Sequence, residues 1–300
     1  MCTGEGCNNQ RFGSKGIKRR SFLTGAAAAV VGVTLGSEIV AQQQPPSNAL
    51  SDPNVVQGMV SFRSGADTIQ GYLARPNRAG NFRAVVVLHG NLHLPEDHRY
   101  TAAQLAQGGF VGLAVKRFSR TPELTIAELN RSDREDRRYL SNSFNQQELQ
   151  DAQAAINYLK SLPYVKGRDV GMVGFCGGGY QSLLLATKSK DIKAVVAFYA
   201  PPVQAEQYQT PNDRKPDLMD VVKLIGVPVQ GHYGTSDAGI PVADVKKFEQ
   251  ALRAQGTHAE IFYYEGARHG FCDYTRQNYD PQAAKLAKSR MSEFLRRRLT

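Results

Sequence analysis

Gly174-Phe175-Cys176-Gly177-Gly178 joins two apolar runs, 170–173 and 180–186, at a point where a strand would hand over to a helix. A Gly-x-nucleophile-x-Gly turn in that context is a nucleophile elbow. The turn is too tight for side chains at its flanks, so glycines occupy them. The central side chain is lifted above the sheet and stands at a helix N-terminus, where free N–H groups favour an anion. The usual residue there is serine; here it is Cys176. A cysteine suits the position, because the thiolate is the nucleophilic form and a helix N-terminus lowers a thiol pKa. The bland alternative is a buried cysteine in a glycine-rich turn, and the rest of the chain discriminates between the two.

Working outward, the apolar period alternates between strand and helix. Residues 55–62 and 69–75 read as an antiparallel pair around Ser64-Gly65. The continuous run 84–88 suits a strand buried on both faces. A helix over 99–107 and a strand over 110–115 follow. Residues 117–144 are polar and without a clean period, and are expected to cover part of a site. A helix over 147–161 carries Leu149, Ala152, Ile156 and Leu159 on one face. Strands over 194–199, 227–231 and 259–264 alternate with helices over 245–255 and 281–299. This alternation predicts an α/β fold, a mostly parallel sheet with helices on both faces.

The chain has 300 residues and a net charge of +10, with 41% hydrophobic residues. That is enough for one large α/β domain with a real core. The positive charge is spread along the sequence. Its densest run, Arg296-Arg297-Arg298, lies in a helical tail and reads as a solvated face, so no nucleic-acid partner is expected. Near the N-terminus, Lys18-Arg19-Arg20-Ser21-Phe22-Leu23 is a twin-arginine pattern before an apolar run, 25–35. That run is too short and too rich in Gly and Ala for a membrane span. Residues 1–41 are therefore expected to be a twin-arginine signal peptide, 42–54 a linker with Pro45-Pro46, and 55–300 a single domain. The cleavage site Ile39-Val40-Ala41 is imperfect, since Ile39 is not small, and an uncleaved tail or membrane anchor is the alternative. Handling by the twin-arginine export machinery would place the protein in a bacterial periplasm or outside the cell, with no stable membrane insertion after cleavage. Cys2 and Cys7 leave with that segment; Cys176 and Cys272 stay. A disulfide between the last two would consume the nucleophile and is not expected.

In a parallel α/β sheet, ligands bind beyond the carboxyl ends of the strands. Asp237, in Gly234-Thr235-Ser236-Asp237, follows the strand 227–231; His269, in Arg268-His269-Gly270-Phe271, follows the strand 259–264. Nucleophile, acid and histidine then occur in the chain order of α/β-hydrolases. His269 would take or stabilise the thiol proton and Asp237 would orient the imidazole. The bland readings are a turn cap for Asp237 and a surface histidine for His269. His258 precedes its strand and falls at the wrong end of the sheet, while His232 ends a strand and reads as packing, with a supporting place behind the site as the alternative. His89, His93 and His98, with Glu96 and Asp97, fit no helical ligand pair, so no metal is expected. The oxyanion hole is assigned to a backbone N–H of the loop after the central strand, at Asn91, and to Gly177 after the nucleophile.

Taken together, Gly174-Phe175-Cys176-Gly177-Gly178-Gly179, Asp237, His269-Gly270-Phe271, the tail Tyr279-Asp280 with Ala283-Ala284-Lys285-Leu286-Ala287, and Arg290 resemble the dienelactone hydrolase (carboxymethylenebutenolidase) family. The resemblance runs from about Val55 to the C-terminus. It implies the α/β-hydrolase fold and cysteine-dependent hydrolysis of a small lactone or carboxylic ester through an acyl-enzyme, without metal or organic cofactor. Two positions depart from the family pattern. Where a glutamate usually meets the resting cysteine, this chain has Gly90; where an arginine faces a substrate carboxylate, four residues after the histidine, it has Asp273. An acid at the pocket mouth would repel a carboxylate, so neutral lactones or esters are expected to be favoured, unless Arg117, Arg120, Arg138 or Arg268 supplies the missing charge from another direction. The alternatives are a broader carboxylesterase or acyl-peptide hydrolase, and an inactive ligand-binding homologue. A thiol-redox role lacks a C-x-x-C pair.

Overall fold

The computed structural model describes residues 45–90, 95–119, 145–204 and 215–299. The expected signal segment, Asn91, His93, Arg120 and Arg138 lie outside the described residues. β1 (Val55–Ser64) and β2 (Asp67–Pro76) form the expected antiparallel hairpin. Its turn has Gly65 at φ 60°, a conformation that suits glycine. β2 also runs antiparallel to β4 (Val111–Val115). From there the sheet is parallel: β4, β3 (Phe82–Leu88), β5 (Val165–Phe175), β6 (Ile192–Phe198), β7 (Val229–Gly234) and β8 (Ala259–Tyr264) are successive neighbours. The full order is β1-β2-β4-β3-β5-β6-β7-β8.

The described helices are α1 (Glu96–Gln107), α2 (Asn145–Ser161), α3 (Gly177–Ala186), the short α4 (Leu218–Val221), α5 (Val242–Ala254) and α6 (Pro281–Arg298). Successive strand residues face opposite ways, so the run at β3 feeds two cores. Val85 and Val87 pack with Tyr100 and Leu105 of α1 and Met291 and Phe294 of α6. Val86 and Leu88 pack with Ile156 of α2, Leu183 of α3 and Phe248 of α5. That is why the run lacks alternation: both faces are covered. α6 begins at Asp280, whose Oδ1 accepts from the N–H groups of Gln282 and Ala283, both at 3.0 Å, with Pro281 leading the first turn. Lys288 of α6 and Asp97 of α1 form a buried ion pair at 3.0 Å that ties the two helices together.

Two strand boundaries differ from the sequence expectation by more than two residues. β5 starts at Val165, five residues before its apolar run, because Val165 pairs with Phe82. β7 continues past Gly231 through His232 to Gly234. His232 interrupts the apolar pattern yet is fully buried, stacked on Phe198 at 4.5 Å. Its ring nitrogens meet Tyr264 Oη at 2.8 Å and Gln230 Oε1 at 3.0 Å. A histidine with both nitrogens satisfied is a packing residue, as the sequence suggested.

Candidate active site

Cys176 stands between β5 and α3 with φ 53° and ψ −122°. A non-glycine residue held there stores about 1–3 kcal/mol of backbone strain. The surroundings fix it: Cys176 N–H donates to Phe198 O at 2.9 Å, and Tyr180 N–H donates to Cys176 O at 3.0 Å. The glycines serve close approach. A Cβ on Gly174 would lie 2.3 Å from Gly178 O, and one on Gly178 would lie 2.3 Å from Leu88 O. The left-handed residue is thus Cys176 itself, the candidate nucleophile, and the glycines let α3 press its first turn against β5 and the end of β3. Cys176 is partly exposed and its sulfur is approached by the Gly177 N–H.

The loops after β7 and β8 are stitched together. Thr235 N–H donates to Tyr264 O at 2.9 Å, Ser236 N–H donates to Ala267 O at 3.0 Å, and Gly266 N–H donates to Thr235 Oγ1 at 2.9 Å. This brings Asp237 to His269, with Oδ2 accepting from Nδ1 at 2.7 Å. The other carboxylate oxygen accepts from Gly239 N–H at 2.9 Å. With Nδ1 engaged, Nε2 of His269 is the nitrogen left for Cys176, to which His269 is hydrogen-bonded. Gly270 turns the loop at φ 80°, and Phe271, fully buried against Tyr199 and Tyr264, anchors it. His258 is exposed at the opposite end of β8 and pairs with Glu260 at 3.0 Å.

Electrostatics favour an ion pair. Burial is the largest influence on the Cys176 thiol and acts to raise its pKa. The His269 hydrogen bond and charge, the Gly177 N–H and Arg117 outweigh it, and the thiol is held below its ordinary value. For His269 burial again acts first, downwards. The bonds and charges of Asp237 and Cys176 prevail and raise the imidazole to about 10. Cys272 is a free, fully buried thiol raised well above its ordinary value, first by burial.

The loop after β3 is held from behind. Arg117, just past the carboxyl end of β4, donates through Nη1 to His89 O and, at 2.8 Å, to Gly90 O. Nη2 reaches Glu148 of α2 at 3.0 Å in a buried ion pair. The Arg117 N–H donates to His89 Nε2 at 3.1 Å, which leaves His89 Nδ1 to donate to Gly90 O at 2.8 Å. Two nitrogens, Arg117 Nη1 and His89 Nδ1, therefore make three hydrogen bonds to the two carbonyls just before Asn91, the proposed oxyanion donor.

A pocket of about 560 Å3 opens over Cys176, Gly177, Asp237 and His269. That size accommodates a small organic ligand. Its lining includes Lys215, Arg268 and the buried Arg117, and Gln181 contributes a buried amide oxygen without a partner among the described residues. Sequence reading did not single out Gln181, although it lies one helical turn after Gly177 and lines the same pocket as Cys176. Asp273 corrects an expectation. It is 3% exposed and borders a smaller cavity beside Cys176 and not the large pocket. Its carboxylate accepts from Thr275 N–H at 3.0 Å, from the Thr275 hydroxyl, and from Arg276 Nε at 3.0 Å. An acid so tied stays buried with its charge compensated and does not screen the pocket entrance.

The family model described as dienelactone hydrolase family matches residues 69–299. A protein of Escherichia coli strain K12, named as a carboxymethylenebutenolidase, is 30% identical over 251 residues, covering 82% of this chain and 88% of its own. A protein of Bradyrhizobium sp, named as a 2-oxo-3-(5-oxofuran-2-ylidene)propanoate lactonase, is 29% identical over 257 residues, covering 82% of this chain and 96% of its own. Among solved structures, a dienelactone hydrolase of Klebsiella pneumoniae superposes with a TM-score of 0.72 at 28% identity, over 81% of this chain and 98% of the other. The chain belongs to the dienelactone hydrolase family, enzymes of the α/β-hydrolase fold that act on ester and lactone bonds.

Proposed function

We propose that Cys176, His269 and Asp237 hydrolyse a small lactone or carboxylic ester through an acyl-enzyme. The observation that carries this is the 2.7 Å bond from His269 to Asp237 with Cys176 hydrogen-bonded to the same imidazole at the floor of the pocket. The thiolate attacks the carbonyl carbon while Gly177 N–H, with the proposed Asn91 N–H, receives the developing oxyanion. His269, as imidazolium, hands its proton to the departing alkoxide. The neutral imidazole left behind then takes a proton from water, which attacks the thioester and frees Cys176. During turnover of an aryl acetate, rapid acid quenching should reveal an acetyl adduct on the peptide carrying Cys176 and not on that carrying Cys272. Turnover with no adduct on Cys176, however fast the quench, would exclude the covalent route.

The pocket's charge points to acyl groups that carry a carboxylate. Lys215 and Arg268 line it, the charge of Arg117 is met by Glu148, and the one acid among the described lining residues, Asp237, is bound to His269. With Asp273 buried on Arg276, the expected bias toward neutral substrates loses its physical basis. The Bradyrhizobium relative is named for a lactone that is itself a propanoate. A carboxylated lactone should therefore exceed its methyl ester in kcat/KM. Arg268 is exposed and works through solvent, so Arg268→Gln should cost the anionic substrate about fivefold, the equivalent of about 1 kcal/mol. The neutral ester should be unaffected, and added salt should narrow the difference. Equal losses on both substrates would remove the charge argument.

Residues 1–41 are proposed to direct twin-arginine export, which carries a folded hydrolase to the periplasm or beyond. Arg19→Lys combined with Arg20→Lys should leave the precursor inside the cell, as seen by fractionation and blotting. Unchanged export would refute the assignment.

A further inference from the structure

Beside Cys176 lies a second pocket of about 240 Å3, separate from the large one. Cys176 and His269 line both pockets. The small one is otherwise bounded by Gly90, His98, Asp273 and Arg276, together with neighbouring aromatic and backbone surface. We propose that this pocket holds the water that hydrolyses the acyl-enzyme, and that His98 is the positioning residue for it. The inference rests on the acyl-enzyme reading of Cys176 given above.

His98 is the unusual member. It is 3% exposed, and neither ring nitrogen has a hydrogen-bond partner among the described residues. Leaving a buried polar group unpaired costs about 1–3 kcal/mol, which a phenylalanine or leucine at the same place would not incur. The ring is held edge-on against Phe175 at 4.6 Å and against His89 at 6.0 Å, so its nitrogens cannot swing away to find other partners. Burial, helped by Lys288, Arg276 and Arg117 against Asp273, lowers its pKa to about 3. The imidazole therefore stays neutral, with one donor and one acceptor. That pair complements a water molecule. Polar lining and a volume of several waters, at about 30 Å3 each, make the pocket a place where water is retained.

The second half-reaction needs such a place. Once the acyl group is on Cys176 and fills the large pocket, the attacking water has to reach both the acyl carbon and His269 Nε2. A water in the small pocket stands beside both residues. Gly90 keeps that approach short, since a Cβ there would already lie 3.2 Å from Cys176 Cβ. Water oxygen bonds to the acyl carbon, and its proton passes to neutral His269. The tetrahedral centre then collapses, the carbon–sulfur bond breaks and its electron pair returns to Cys176. The products are a carboxylic acid, which loses its proton to solvent, and the thiolate–imidazolium pair. His98 exchanges no proton; it holds the water's direction.

The test separates the two half-reactions. In stopped-flow with p-nitrophenyl acetate, His98→Leu should release the first equivalent of nitrophenol within about twofold of the native rate, while hydrolysis of acetyl-Cys176 slows by about tenfold or more. The acetyl mass on Cys176 should then accumulate in quenched samples. His98→Asn, which keeps a donor and an acceptor, should restore most of the deacylation rate. The pH profile of Cys176 alkylation should not move, because the ion pair is untouched. His98→Phe, which keeps the shape and removes both nitrogens, should behave like His98→Leu and serves if the latter folds poorly. Deacylation indifferent to His98→Leu and His98→Phe, or slowed in parallel with acylation, would overturn the water site while leaving the acyl-enzyme intact. Turnover with no acetyl on Cys176 in any of these proteins would overturn both.

Discussion

Cys176→Ala should lower kcat/KM for an aryl ester by at least about a thousandfold, because a covalent route loses its nucleophile outright. The fold should be retained. Alanine can occupy the φ 53° position at much the same strain as cysteine, and the elbow's closeness depends on Gly174 and Gly178, which stay. Circular dichroism and thermal unfolding should therefore be nearly unchanged. Cys176→Gly should be equally inactive yet more stable by about 1 kcal/mol, since glycine removes the left-handed strain. That pairing of lost activity with gained stability marks strain kept for function. His269→Ala should approach the loss seen for Cys176→Ala, and Asp237→Asn should keep more activity, because His269 retains Cys176 and loses only its orienting acid. His258→Ala, at the far end of β8, should do nothing to catalysis. A Cys176→Ala enzyme within about tenfold of native would mean that another group performs the attack.

Most of this arrangement is legible in the sequence, for a physical reason. A parallel sheet covered on both faces writes its strands as plain apolar runs and its nucleophile between glycines, and it confines the remaining site residues to loops after strands. β8 spans Ala259–Tyr264, as its apolar period indicates, and His269 follows at the expected end. Patterning fails where burial is bought by side-chain pairing. His232 breaks the apolar period and hides three residues of β7, because its nitrogens are answered by Tyr264 and Gln230 from within the sheet. Asp273 looks like a pocket-mouth acid in one dimension; in three it is neutralised by Arg276, three residues on. His98 carried a usable signal. It shares a helical stripe with Thr101, Ala102 and Leu105, all buried, and a lone imidazole on that stripe is a departure from core composition. Its lack of partners shows only when the neighbouring chain is in place.

Iodoacetamide should alkylate Cys176 at pH 6 faster than an ordinary thiol, because only the thiolate reacts and a free cysteine, with a pKa of about 8.5, is almost wholly protonated there. The sign follows from the neighbours. His269, Gly177 N–H and Arg117 together overcome burial and lower the thiol pKa, so the thiolate survives as pH falls and is lost only below that lowered value. Its partner's pKa, raised to about 10, keeps the imidazole protonated across the same range. His269→Ala removes the strongest opposing contributions and leaves burial dominant, so alkylation at pH 6 should fall to or below the rate of an ordinary thiol. Gly90→Glu restores an acid beside the sulfur and should shift the onset of alkylation to higher pH, with Arg276 across the small pocket offsetting part of the change. Because any Cβ at position 90 crowds Cys176 Cβ, Gly90→Ala is the control that separates charge from contact. Cys272, fully buried with its pKa raised, should stay unmodified and allow both sites to be read in one mass spectrum. A native midpoint at or above about 8.5, unmoved by either His269→Ala or Gly90→Glu, would show a neutral resting thiol and require the proton to be removed only once substrate is bound.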